Sequence, residues 1–150
     1  MILYLDSSAI VKQYISETGS PQVQSAVEGA QVVGTTVASR VEVTAALRKA
    51  IRIGILTEER AQPLLRAFAK RWPDLVRTRV TERLVKHAAA LAWSHGLRGY
   101  DAIHLASAAA WQQALGRPVT MATFDRKLWS ASEAIGLLKY PSNLPAFLDS

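Results

Sequence analysis

The stretch ILYLDSS (residues 2–8) decides the fold prediction, because four consecutive apolar residues are followed at once by an acid. The apolar run is short and includes a β-branched and an aromatic residue, which is typical of a buried strand. No basic segment precedes it, so it resembles neither a secretory signal nor a membrane span. We therefore interpret residues 2–5 as the first strand of a sheet, with Asp6 at its end.

Similar hydrophobic runs recur along the chain and are separated by helical patterns. The further strand candidates are QVVGTT (31–36), LVRTRV (75–80), PVTMAT (118–123) and, more weakly, GLLKY (136–140). Strands that alternate with helices predict a parallel sheet covered on both faces. The expected fold is therefore α/β, a three-layer α/β/α sandwich with a mainly parallel central sheet of four or five strands. Because there is no repeat or linker, we expect a single domain over residues 1–150.

Two of the predicted helices have distinctive starts. Ser39, with Glu42 three residues later, predicts a capping box. Thr57 is predicted to begin the next helix, but Pro63 lies a turn and a half inside that pattern. Because proline lacks a backbone N–H, we expect this helix either to start at Pro63 or to kink there.

The chain is basic and lacks cysteine. It has 18 Lys and Arg against 12 Asp and Glu, a net charge of +6, and twelve of its basic residues but only five of its acids lie between positions 40 and 86. This charge favours a polyanionic partner, with nucleic acid ahead of an anionic membrane. The absence of cysteine excludes disulfides and thiolate metal sites and agrees with a cytoplasmic location.

Four acids fall where the carboxyl ends of parallel strands would meet the following helices. They are Asp6, Glu42, Asp101 and Asp125. Ligands of open α/β sheets bind at this edge, and crowded carboxylates repel one another unless a cation lies between them. Oxygen ligands without cysteine indicate Mg²⁺ or Mn²⁺.

Each acid also has a purely structural interpretation, since Asp6, Asp101 and Asp125 could cap helices and Glu42 could complete the capping box. The histidines do not offer a competing metal site. His87 and His95 are eight positions apart, so no pair four residues apart exists, and a zinc-protease helix is excluded. His104 lies one turn after Asp101, and we interpret it as a packed, hydrogen-bonded residue that supports the helix.

Four segments together resemble the PIN domain, and most closely the VapC-type toxins of toxin-antitoxin pairs. They are YLDSSAIVKQY (4–14), SRVEVTAALRK (39–49), GYDAIHLASAA (99–109) and MATFDRKL (121–128). The resemblance implies a parallel-sheet α/β/α domain and a Mg²⁺- or Mn²⁺-dependent endoribonuclease that leaves a 5′-phosphate and a 3′-hydroxyl. It also implies inhibition by a cognate antitoxin whose C-terminal segment covers the active site, and assembly as a homodimer.

The resemblance assigns roles to individual residues. Asp6, Glu42 and Asp101 match the three central metal-binding acids, and Asp125 matches a more variable fourth. Ser8 and Thr123 match small hydroxyl residues that would orient a carboxylate or a bound water.

Basic side chains near these acids are candidates for contacts to the RNA backbone. They are Lys12, Arg40, Arg48, Lys49 and Arg52. For each, a solvated helix face is the alternative. Segment 57–72 is amphipathic, and its apolar face, which includes Leu64, Leu65 and Phe68, could be core, dimer contact or antitoxin groove.

Two other functions remain open from the residues alone. The chain could be an RNA-processing nuclease outside any toxin-antitoxin pair, or a nucleic-acid-binding module without catalysis. A phosphatase of the haloacid-dehalogenase type would need Asp-x-Asp after the first strand, but the chain has Asp6-Ser7-Ser8.

Overall fold

The structure is a computed structural model that describes residues 1–148. Its strands are β1 (Ile2–Leu5), β2 (Val32–Thr36), β3 (Val76–Thr78), β4 (Val119–Ala122) and β5 (Leu138–Tyr140). Its helices are α1 (Ser7–Val11), α2 (Ser20–Gly29), α3 (Ser39–Arg52), α4 (Glu58–Arg71), α5 (Glu82–His95), α6 (Gly99–Leu115), α7 (Arg126–Ala134) and α8 (Pro145–Leu148). A 3₁₀ turn, Trp72–Asp74, follows α4.

The five strands form one sheet in the order β3-β2-β1-β4-β5, and every neighbouring pair is parallel. The chain builds outward from β1 to β2 and β3, and then returns to the other side of β1 with β4. The reversal of strand order therefore lies between β1 and β4, which is where open α/β sheets leave a crevice for ligands. The predicted α/β/α sandwich is confirmed, including the fifth strand.

Strand β1 is buried on both faces and supplies both halves of the core. Ile2 and Tyr4 pack with residues of α5, α6 and α7, whereas Leu3 and Leu5 pack with residues of α1, α2, α3 and α4. Successive side chains of a strand point to opposite faces, so four consecutive apolar residues serve two helical layers at once. This burial explains why the run 2–5 shows no alternation of polar and apolar residues.

Helix α6 lies close against the sheet because β2 carries a glycine at the contact. A Cβ on Gly34 would lie 2.8 Å from the Trp111 ring and 3.1 Å from the Val76 carbonyl oxygen. Only hydrogen leaves room for this ring, so Gly34 sets how closely α6 approaches the strands. That approach also determines where the first turn of α6, with Asp101, stands relative to the sheet edge.

The predicted start of α4 at Thr57 is confirmed, and the alternative start at Pro63 is wrong. Helix α4 begins at Glu58, because the Thr57 hydroxyl accepts a hydrogen bond from the Arg60 N–H at 3.2 Å and so caps the helix. Pro63 lies inside α4 and removes one donor from it.

The capping box predicted at the start of α3 does not form. The cap position is Ala38, which has no side-chain acceptor, and Ser39 is buried with its hydroxyl 2.6 Å from that of Thr35. Burial of Ser39 against β2 takes its hydroxyl away from the helix end, which leaves Glu42 free to point elsewhere.

No helix among residues 1–148 is both long and apolar enough to cross a membrane.

Candidate metal centre

Asp6 is a buried carboxylate at the carboxyl end of β1, with only 3% of its surface exposed. Its Oδ1 accepts hydrogen bonds from the Ser8 hydroxyl at 2.7 Å and the Ala9 N–H at 2.8 Å, so it caps α1. Its Oδ2 accepts a hydrogen bond from the Thr123 hydroxyl, which follows β4. Burial raises the pKa of Asp6, while His104 and these hydrogen bonds act in the opposite direction.

Ser8 and Thr123 both donate hydrogen bonds directly to Asp6. The Thr123 oxygen also accepts a hydrogen bond from the Asp125 N–H at 3.1 Å. One hydroxyl therefore joins the ends of the two strands that flank the crevice, and it links the positions of Asp6 and Asp125.

Glu42 reaches the same edge from the first turn of α3. Its Oε2 accepts a hydrogen bond from the Ser7 hydroxyl at 2.9 Å, and its Oε1 lies 2.8 Å from His104 Nε2. Both carboxylate oxygens therefore have side-chain partners on other helices. The two partners hold the Glu42 carboxylate in one orientation without the capping contact that its spacing from Ser39 predicted.

His104 is buried, with 1% of its surface exposed, and it connects Glu42 to the core. Its Nδ1 lies 2.9 Å from the Tyr4 hydroxyl. An ionised carboxylate can only accept, so Nε2 carries the proton in the contact to Glu42, and the Tyr4 hydroxyl is the partner of Nδ1. Burial raises the pKa of Tyr4 well above its usual range, which keeps the phenol protonated. The packed role predicted for His104 is thus combined with a direct contact to a site acid.

Asp101 and Asp125 lie at the half-buried rim of the site and share one cation, the guanidinium of Arg98. Arg98 Nε donates to Asp101 Oδ2 at 2.9 Å, and Nη2 donates to Asp125 Oδ2 at 3.2 Å. Hydrogen bonding to Asp101 is the main cause that raises the pKa of Arg98. The other oxygen of Asp125 accepts from the Leu128 N–H at 2.9 Å and caps α7. Asp101 does not cap α6, the structural role that its sequence left open, because Arg98 occupies the cap position and Asp101 lies in the first turn.

Sequence reasoning missed Arg98, although its spacing from Asp101 was a visible signal. Residues three apart at the start of a helix are neighbours on its surface, so an Arg three positions before an acid favours an ion pair. The contact of Arg98 to Asp125, 27 positions later, had no local signal.

The four acids form a connected group, although no three carboxylates or imidazoles within residues 1–148 converge on a single point as a ready ligand set. Asp6 is linked through Thr123 to Asp125, and Asp125 through Arg98 to Asp101. Glu42 is held by His104, which follows Asp101 on α6. The donor chemistry fits a hard divalent cation, because the group offers carboxylate oxygens and already accepts one positive charge.

The predicted RNA-binding residues divide into two groups. Lys49 and Arg52 line a surface pocket together with Ser7, Ser8 and Glu42. The other three do not line this pocket: Lys12 pairs at 3.1 Å with Glu17, which does line it, Arg48 pairs with Glu58 at 3.5 Å, and the Arg40 guanidinium lies 5.9 Å from the Trp72 ring centre.

Comparisons with known proteins give a consistent result. Residues 3–132 match the family described as the PIN domain. The ribonuclease VapC45 of Mycobacterium tuberculosis is 35% identical over 144 residues, which are 95% of this chain and 97% of that protein.

Solved structures agree on the fold. The protein PAE2754 of Pyrobaculum aerophilum has a TM-score of 0.64 at 18% identity and covers 100% of this chain and 91% of its own. A chain of a toxin-antitoxin complex from Klebsiella pneumoniae has a TM-score of 0.55 at 16% identity and covers 87% of this chain and 91% of its own.

We predict that Tyr4→Phe lowers the free energy of unfolding by about 1–3 kcal/mol, because buried His104 Nδ1 loses its hydrogen-bond partner. Urea denaturation followed by circular dichroism measures the change. Tyr140→Phe is the matched control, since the Tyr140 hydroxyl donates to the Gln22 carbonyl in an exposed contact at 2.8 Å. If Tyr4→Phe lowers the free energy of unfolding no more than Tyr140→Phe does, the hydrogen bond between Tyr4 and His104 does not stabilise the fold as predicted.

Proposed function

The chain belongs to the PIN-domain family and is a VapC-type ribonuclease, the toxin of a toxin-antitoxin pair, and we propose that Asp6, Glu42, Asp101 and Asp125 hold the metal ion on which its cleavage of RNA depends. PIN nucleases are metal-dependent, and we propose Mg²⁺ or Mn²⁺ as the ion. The observation that supports this assignment is that Asp101 and Asp125, which lie on different helices, already bind one cation, while Thr123 links Asp125 to Asp6. Because the proposed substrate is cellular RNA, we propose the cytoplasm as the place of action.

The side chains would divide the work according to the partners that hold them. When bound, the divalent ion would lower the pKa of an attacking water and neutralise charge on the phosphate oxygens. Asp6 and Glu42 are held by hydroxyl, backbone and imidazole donors, so they would provide ligands that do not need to reorient. Asp101 and Asp125 are held by the exposed guanidinium of Arg98, so they would provide ligands that exchange their partner when the ion binds. No protein nucleophile is required.

We predict that cleavage of a mixed structured RNA requires Mn²⁺ or Mg²⁺, stops with EDTA, and leaves 5′-phosphate ends. Asp101→Asn is expected to reduce the rate by more than the roughly 10- to 100-fold that loss of an outer partner of a metal ligand costs. The exposed Asp74, on the 3₁₀ turn, provides the control Asp74→Asn, which should cleave at the wild-type rate. Equal rates for Asp101→Asn and the wild type, with circular dichroism showing both folded, would remove Asp101 from the site.

We further propose that Lys49 and Arg52 contact the RNA backbone, because they share a pocket with Glu42. Each phosphate contact on a single strand contributes about 0.7 to the slope of log affinity against log salt. The double variant Lys49→Gln/Arg52→Gln should therefore flatten that slope by about 1.4 in fluorescence anisotropy. The pair Arg83→Gln/Lys86→Gln on α5 removes the same charge away from that pocket, and an equal flattening there would show that only net charge matters.

The antitoxin is the expected protein partner, and we propose that it docks on the exposed apolar residues around the α3–α4 connection. The predicted amphipathic face of α4 is partly core, because Phe68 is buried and Leu64 packs against the same cluster, but Leu65 is exposed. Ile53 and Ile55, between α3 and α4, are each more than half exposed. An apolar partner segment would cover these side chains and bring its basic end to the acids.

We also propose a homodimer, and light scattering of the free chain measures its mass.

We predict that Ile53→Asp/Ile55→Asp abolishes copurification with the product of the adjacent antitoxin reading frame in high salt, because burying the new charges is unfavourable. Trp93→Asp on α5 is the control, since Trp93 is the most exposed large apolar side chain and lies on another helix. If Trp93→Asp releases the partner and the isoleucine variant retains it, the docking surface is not at α3–α4.

A further inference from the structure

Arg98 makes two ion pairs although its side chain is 80% exposed. It occupies the position before α6, and its side chain does not cap that helix. One guanidinium therefore joins the first turn of α6, through Asp101, to the cap of α7, through Asp125. Because the Arg98 side chain is exposed, it contributes little to core packing. Its two ion pairs therefore act mainly on Asp101 and Asp125.

The charge of Arg98 acts on three of the four site acids. Asp101 and Asp125 bind it directly, and Glu42 also contributes to the raised pKa of Arg98. Without a cation at this edge the carboxylates would repel one another. The guanidinium stays charged at every physiological pH, so it can leave the acids only by moving away and not by losing its proton.

We propose that Arg98 is an internal counter-cation that occupies Asp101 and Asp125 in the metal-free protein and competes with the divalent ion for them. This inference rests on the proposed function, because it concerns the same acids. Arg98 engages the Oδ2 atoms of both acids, so an ion shared by these two atoms would take the place of the guanidinium. Ion pairs of an exposed guanidinium are weak, so this exchange is feasible but lowers the apparent affinity for metal.

The competition also explains why the acids do not converge as a ready ligand set within residues 1–148. Arg98 holds the two rim carboxylates, whereas His104 and Ser7 hold Glu42. The result is a site whose metal affinity is set by a side chain that is not a ligand. Arg98 would therefore raise the metal concentration above which nuclease activity appears.

Calorimetric titration of the intact protein with Mn²⁺, without RNA, tests the proposal. Arg98→Gln should bind Mn²⁺ roughly tenfold more tightly than the wild type, because a competing charge a few ångströms from the ion is removed. Arg83→Gln removes the same charge from α5 and should bind like the wild type. Asp101→Asn should bind Mn²⁺ more weakly than Arg83→Gln and the wild type. Far-ultraviolet circular dichroism confirms that each variant is folded.

The outcomes separate this proposal from the proposed function. Tighter binding by Arg98→Gln than by Arg83→Gln supports the internal counter-cation. Equal Mn²⁺ affinities for Arg98→Gln, Arg83→Gln and the wild type would overturn it and leave the metal-dependent site intact. If neither the wild type nor Arg98→Gln binds Mn²⁺ at millimolar concentration, the metal site itself fails, and the role of Arg98 with it.

Discussion

The rest of the site depends on the burial of one charge, the Asp6 carboxylate at the end of a fully buried strand. Removing a carboxylate from water is unfavourable unless hydrogen bonds replace the lost solvation. Ser8, Ala9 and Thr123 supply those bonds, and in doing so they start α1 and tie β1 to the segment after β4. Thr123 then accepts from the Asp125 N–H, so the position of the outermost acid follows from the solvation of the innermost one.

The acids of the site differ in the kind of partner that holds them. Neutral donors hold Asp6, and buried His104 and the Ser7 hydroxyl hold Glu42, whereas the exposed charged side chain of Arg98 holds Asp101 and Asp125. Two acids with fixed partners and two acids with an exchangeable cation suit a centre that must admit an ion and a phosphate. A basic side chain of a partner would replace Arg98 at the second pair, because these two carboxylates already accept a guanidinium.

Local patterns in the sequence were sufficient for the sheet. Residues 2–5 are apolar without alternation because both faces of β1 are covered. The bounds of the other predicted strands lie within two residues of those observed. Local patterns failed where a tertiary contact competed with a capping rule. Ser39 turned to Thr35 and not to the end of α3, and Glu42 turned to Ser7 and His104. By contrast, the local cap at Thr57 formed as predicted, and Pro63 lies inside α4.

The sequence by itself determined the layered α/β architecture, the basic charge and the set of acids, because each depends on residue type and on spacing within one element. Only the tertiary structure decided which side chain holds each acid. The contact of Tyr4 to His104 spans 100 positions, that of Thr123 to Asp6 spans 117, and that of Arg98 to Asp125 spans 27. Such pairs form only after parallel strands bring their carboxyl ends to one edge, so no periodicity along the chain records them.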